Sequence, residues 1–168
     1  MAWKKLVFEA DYDKGRRIIL TAAGAIVPAS GGAEQKQTDG TNFSYYTLNF
    51  DKDADEAAYW ECIVPDDYDS GNIIANIWYK STVNAGTVSF DVAVLGREEG
   101  ENFDNALGAA QTITENVPAT VNAIGICAPT NFSPGWVAGD FVVVKLLRDI
   151  SDDNANADIS VVMVEVEY

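Results

Sequence analysis

YWECIVPDDYDSGNIIANIWYKS, residues 59–81, sets three aspartates, a proline and a glycine between two hydrophobic runs that each carry a tryptophan. Three readings are open to it: a metal loop, a fragment of an active site, or the corner between two strands. Spacing removes the first in its best-known form. A calcium loop of the EF-hand type begun at Asp67 would place Gly71 at its fifth position and Asn72 at the sixth, where glycine is required. Pro65 takes a donor out of any ladder and so ends a strand. The aspartates keep the reversal solvated, and Gly71 permits the turn before Ile73 resumes pairing. The stretch therefore reads as two strands and their corner.

Working outward, short runs of β-branched and aromatic residues separated by Gly, Pro, Asn and Asp recur along the whole chain, as an all-β domain requires. They predict strands at 3–9, 16–20, 43–51, 57–64, 72–81, 86–95, 110–114, 118–127, 140–148 and 158–168. Some alternate at period two: Val88, Phe90, Val92 and Val94 share one face, and Val162, Val164, Val166 and Tyr168 lie opposite Glu165 and Glu167. The pattern predicts an antiparallel β-sandwich of jelly-roll type with about eight to ten strands. The sandwich domain spans 43–168, and 1–42 reads as an N-terminal arm and loop. Within that arm, 22–41 has the Gly, Ala, Ser and Gln content of a long surface loop. Phe103, Ala106, Leu107 and Ala110 recur at helical spacing, but a glycine interrupts them; a short helix and an irregular loop both stand over 102–110.

The 168 residues include 11 basic and 26 acidic side chains, a net charge of −15. Nucleic-acid binding needs clustered lysines and arginines, and here they are scattered, so no nucleic-acid partner is expected. A strongly acidic surface suits a protein displayed in many copies. No apolar run approaches the roughly 18 residues of a membrane helix, and Glu9 breaks the short apolar run after Lys4-Lys5, so neither a span nor a secretory leader is expected. Cys62 and Cys127 sit in hydrophobic strand runs and read as free buried thiols of a chain made in a reducing cytoplasm.

There is no histidine, which removes Ser-His-Asp and Cys-His catalysis and histidine-bearing zinc sites at once. What remains is carboxylate chemistry, oxygen-ligated metals or no chemistry; a glycosidase needs two carboxylates about 5–10 Å apart, the acid in an apolar wall. Glu61 is the best candidate; its competing reading is an outward strand position between inward Trp60 and Cys62. Asp51, Asp53 and Asp55 open like a calcium loop, yet Glu56 and Cys62 stand where glycine and a bidentate glutamate belong. The acidic run 149–158 has many oxygens and no recognised ligand order. These runs read as solvated loops, with a weak calcium site shared between loops or subunits as the alternative. Arg148 reads as structural, pairing with loop carboxylates to pin that corner. No catalytic, cofactor-binding or metal-ligating residue is assigned. Aromatic faces stack on pyranose rings, which brings in the tryptophans. Trp60 and Trp78 lie in strands and read as core. Trp136, in a turn-rich loop, reads either as an exposed contact or as a plug over the end of the sandwich.

The order of features carries one more reading. An aromatic strand ends in Phe50-Asp51, a tryptophan strand ends in Pro65-Asp66-Asp67-Tyr68, and a second tryptophan strand leads to a glycine turn. Gly139-Asp140 then opens a strand ending Arg148-Asp149, and the last strand ends in Tyr168. Over 43–168 this resembles a jelly-roll module of the virion proteins of tailed bacteriophages. The resemblance implies a non-enzymatic capsid decoration (auxiliary head) protein, a homotrimer that binds the major capsid protein or another virion protein and reinforces the outer capsid surface, made in the host cytoplasm. Trp3, Leu6, Val7 and Phe8 then supply an added strand or apolar anchor to a neighbour. The alternative it implies is a carbohydrate- or receptor-binding module of a tail or head fibre, in which Trp136 and nearby tyrosines contact glycan.

Overall fold

The computed structural model describes residues 15–127 and 131–168; the strand expected at 3–9, with Trp3, Leu6, Val7 and Phe8, lies outside the described residues. Among the described residues ten strands form: β1 (Arg17–Thr21), β2 (Glu34–Asp39), β3 (Ser44–Phe50), β4 (Glu56–Ile63), β5 (Ile74–Ser81), β6 (Thr87–Arg97), β7 (Gln111–Asn116), β8 (Ile124–Cys127), β9 (Phe141–Arg148) and β10 (Ile159–Glu167). A single 3-10 turn, Ala22–Gly24, follows β1. From β3 onward the chain passes back and forth between two antiparallel sheets in jelly-roll fashion, apart from the neighbouring pair β6 and β7. One sheet runs β2-β3-β10-β5-β8, with β1 also on β10, and the other runs β4-β9-β6-β7.

β10 organises the larger sheet because its one edge is shared end to end. Ile159–Val161 pair with β3, and Met163–Glu167 pair with β1. On its other edge β10 meets β5 with a register shift between Val161 and Met163, so the period-two pattern read through Val162 skips a residue there. In β5 and β9 burial alternates strictly, one wet and one dry face, as the hydrophobic pattern demands. Inward side chains of both sheets make one core, in which Phe90 of the smaller sheet meets Phe50 edge-on at 5.7 Å and Tyr79 at 6.5 Å from the larger. Burying each such ring contributes roughly 1.5–3 kcal/mol, so the sheets are fastened mainly through these apolar faces.

The corner at 64–73 carries the chain from the smaller sheet to the larger. β4 stops at Ile63, before Pro65, and the Tyr68 amide donates to Pro65 O at 3.0 Å to close the turn. The left-handed position is Ser70, with φ of 64°, and not Gly71 as the sequence suggested. Two further expectations change. Residues 22–41 hold a strand, β2, whose polar sequence EQKQTD hid it: an edge strand needs few apolar side chains, and charge on it discourages pairing with strangers. Trp78, read as core, points outward from β5 between Ile126 and Met163, because Ile77 and Tyr79 take the inward positions. Among the described residues no helix is long and apolar enough to cross a membrane.

Candidate functional site

Strand register aligns the outward side chains of the smaller sheet in rows. Glu61 lies beside Val143 and Val143 beside Leu95; one row on, Tyr59 lies beside Lys145 and Lys145 beside Ala93. On the other side of Glu61, Ile63, Phe141 and Arg97 form the next row. The β4 edge is fixed from outside by the segment after the 3-10 turn, where Ile26 and Tyr59 exchange backbone hydrogen bonds of 2.8 and 2.9 Å. Tyr59 is thus held on a ladder on both sides, a rigid platform for its ring.

The connection between β6 and β7, residues 98–110, folds over this face. It begins in a turn where the Glu98 amide donates to Glu101 Oε2 at 3.0 Å and the Glu101 amide to Glu98 O at 3.3 Å. It ends where the Gly108 amide donates to Val94 O at 2.9 Å; a Cβ at Gly108 would lie 3.2 Å from that oxygen, so only glycine comes this close without displacement. Between these anchors the Phe103 ring rests against Phe141, centroids 5.2 Å apart. No helix forms here. Asn102 donates to Asp104 O at 3.2 Å and the Ala106 amide donates to Asn105 Oδ1 at 2.9 Å, local bonds that compete with a helical ladder.

The result is a groove of about 610 Å³ whose floor is Tyr59, Glu61, Leu95 and Val143. Its wall is Phe103, Asp104, Asn105 and Leu107. Phe103 is 64% exposed, an aromatic face held open by its backing on Phe141. The Glu61 and Asp104 carboxylates accept no hydrogen bond and join no ion pair among the described residues, so both are available to something outside the chain. Apolar surface, two rings and a few unengaged polar groups are what a small-molecule site offers. A second cavity, about 380 Å³, lies by the loops at one end of the larger sheet; Asn49, Lys52, Asp158 and Ser160 line it, and no ring does.

The residues singled out from sequence fall into three places. Glu61 is in the groove, exposed and outward beside inward Trp60 and the partly buried Cys62, as its structural reading held. Trp136 is the plug and not the exposed contact: it is 2% exposed, its ring meets Tyr68 at 6.3 Å, and a Cβ at Gly96 would lie 2.8 Å from its Cδ1. Trp60 is core and donates to Thr21 O at 2.8 Å. The acidic loops hold their own backbones. Asp51 accepts from the Asp53 amide, Asp55 from the Ile150 amide and Asp158 from the Lys52 amide. At the opening corner Asp67 pairs with Arg16 at 3.3 Å and accepts from the Tyr168 hydroxyl at 3.1 Å. No group of three acidic or cysteine side chains placed to hold a metal ion occurs among the described residues.

Arg148, with none of its surface exposed, ties the far corner: Nε meets Asp153 at 2.8 Å, Nη1 donates to Phe50 O and Ala157 O at 3.0 Å, and Nη2 donates to Ala155 O at 3.3 Å. Cys127 is a free thiol in the core, pushed up to about 12 by burial and, secondarily, by Glu115; burial also raises Cys62. Neither has the lowered pKa of an activated thiol. Sequence reading missed Tyr59, Phe103, Asp104 and Asn105. Tyr59 had a usable signal, two residues before Glu61 and so on its face; the other three needed the path of the connection.

No protein-family model matches the chain, and no curated protein matches it. Solved structures do, through the fold. CBM35 from Cellvibrio japonicus Abf62 aligns over 90% of this chain and 92% of its own length, at 12% identity and a TM-score of 0.55. A family 35 carbohydrate-binding module from an environmental isolate aligns over 89% and 91%, at 10% identity and a TM-score of 0.54. The isomalto-dextranase of Arthrobacter globiformis T6 complexed with panose aligns over 89% of this chain but only 23% of its own, at 15% identity and a TM-score of 0.57. At such identities the likeness shows a shared jelly-roll β-sandwich.

Proposed function

We propose that this chain is a non-catalytic glycan-binding module and that its site is the groove on the outer face of the smaller sheet. The observation that carries the reading is the pairing of Tyr59 on the floor and Phe103 on the wall of one recess, with the unengaged carboxylates of Glu61 and Asp104 and the Asn105 amide in the same lining. Sugars present apolar faces rimmed by hydroxyls, and such a lining meets both needs: rings for the faces, fixed polar groups for orientation. The fold shared with carbohydrate-binding modules lends support. Catalysis is the poorer reading, because a glycosidase acid sits in an apolar wall and Glu61 stands exposed on an open strand.

The resemblance to phage virion modules supplies a setting: a fibre or capsid surface on which this module engages a host-cell glycan. Glycan binding takes precedence over capsid reinforcement because the groove faces outward and its lining is chemically suited to sugar. A glycan array tests it, followed by calorimetry on the best binder. Tyr59→Ala and Phe103→Ala are each expected to weaken binding about tenfold, the scale of an aromatic contact of about 1.5 kcal/mol. Absence of binding to any glycan, or undiminished binding by the Tyr59→Ala, Phe103→Ala double variant, sinks the reading.

A further inference from the structure

We infer, resting on the glycan-binding reading, that the groove selects pyranose chains bearing no acidic group, and that Glu61 and Asp104 are the residues that select. Glu61 comes from the floor and Asp104 from the wall, so the two carboxylates approach a bound sugar from different elements. Ionised carboxylates only accept hydrogen bonds, and the hydroxyls of a neutral pyranose donate them. Such charge-assisted bonds are roughly twice as strong as neutral ones, and neither carboxylate must first give up an internal partner.

A uronate, sialic acid or sulfated sugar meets the opposite situation. The connection that forms the wall also carries Glu98, Glu99 and Glu101, and the whole chain has a net charge of −15. Among the described residues two cations lie on the same face. Arg97 is engaged by Glu101 at 3.5 Å, and Lys145 sits one row from Glu61, beside Tyr59. One unengaged lysine does not balance this field, so an anion entering the groove is repelled, and salt screens the repulsion.

The experiment uses the whole chain and matched oligosaccharide pairs on gluco-, galacto- and manno- backbones, neutral and oxidised to the uronate, titrated calorimetrically. In about 20 mM salt the uronate of a bound pair is expected to bind at least tenfold more weakly than its neutral partner, and the gap is expected to narrow in about 0.5 M salt. The double variant Glu61→Gln, Asp104→Asn is expected to gain uronate affinity and to lose neutral affinity, closing the gap in low salt. Uronates that bind as tightly as neutral partners overturn the inference while leaving glycan binding intact, as does an unchanged gap in the double variant. If the neutral sugars do not bind and the array is also blank, the parent reading has failed instead. Circular dichroism of the variant, matching the wild type, keeps a folding defect from passing as a change of preference.

Discussion

The acidic loops at the ends of the sandwich and the acidic pair in the groove are built from the same residue types and mean different things. At the loop end three carboxylates have work inside the chain: Asp153 neutralises Arg148, Asp149 accepts the Ser151 amide at 2.9 Å and its hydroxyl at 2.7 Å, and Asp55 reaches across to the Ile150 amide at 3.0 Å. In the groove, Glu61 and Asp104 have no partner among the described residues. A carboxylate committed to amides costs nothing further to keep and has little left for a ligand. One left open among rings in a recess is placed for a partner not yet present. What separates structural from functional acid here is the hydrogen-bond ledger and not the charge.

The largest test of that contrast is Arg148. Its charge is fully buried and matched by Asp153, so Arg148→Met leaves the Asp153 carboxylate buried without its countercharge and frees the Phe50, Ala155 and Ala157 carbonyls. A loss of about 3–5 kcal/mol is expected in urea denaturation, the scale for breaking a buried pair from one side. A cost below about 1 kcal/mol would show that the loop acids do not hold the structure as described.

Much of this arrangement is legible in the sequence. The corner at 59–81, the buried stripe Val88, Phe90, Val92 and Val94 of β6 and the structural role of Arg148 all follow from local rules: proline ends ladders, period two sets one stripe inward, and a lone arginine among loop acids pairs with them. The groove was not legible, because it depends on where 98–110 lies. Its helical spacing was genuine and was overridden by Asn102 and Asn105 bonding the nearby backbone, and by the Gly108 anchor on β6. β2 was missed for a related reason, since EQKQTD is stabilised by pairing with β3 and carries no hydrophobic pattern to announce it. For Trp136 the turn-rich loop left contact and plug both open; its burial, with Gly96 making room for its ring, decides for the plug.

A test of intermediate size uses the acids the core keeps protonated. Burial pushes Cys127 to about 12 from an ordinary value of 9.0, and burial with neighbouring Cys127 raises Tyr79. Folded-state values lie above the unfolded ones, so the native state binds more protons at high pH. The stability they contribute is complete below pH 9 and is lost as pH rises toward 12, at up to about 1.4 kcal/mol per pH unit for each group. The urea midpoint should fall steadily from pH 9 upward, and iodoacetamide should leave Cys127 unmodified at pH 8 until denaturant is added. A flat midpoint to pH 11 would mean that the core admits the charged forms. Smaller again is Asp67→Asn, which weakens a half-exposed pair with Arg16 and is expected to cost no more than about 1 kcal/mol.

The smallest expected effect is the most discriminating. Replacing Glu61 by Gln and Asp104 by Asn removes two negative charges from a chain of net charge −15 and breaks no hydrogen bond among the described residues. Stability in urea should therefore stay within about 0.5 kcal/mol of wild type, with the sign toward greater stability because like-charge repulsion is relieved. Arg148→Met changes a single residue and is expected to cost several kilocalories, so a cost of more than about 1 kcal/mol for this double change would mean that Glu61 or Asp104 has a structural partner after all. Groove and loop acids would then be alike. If stability holds while sugar preference shifts, fold and recognition are carried by separate carboxylates of one acidic chain.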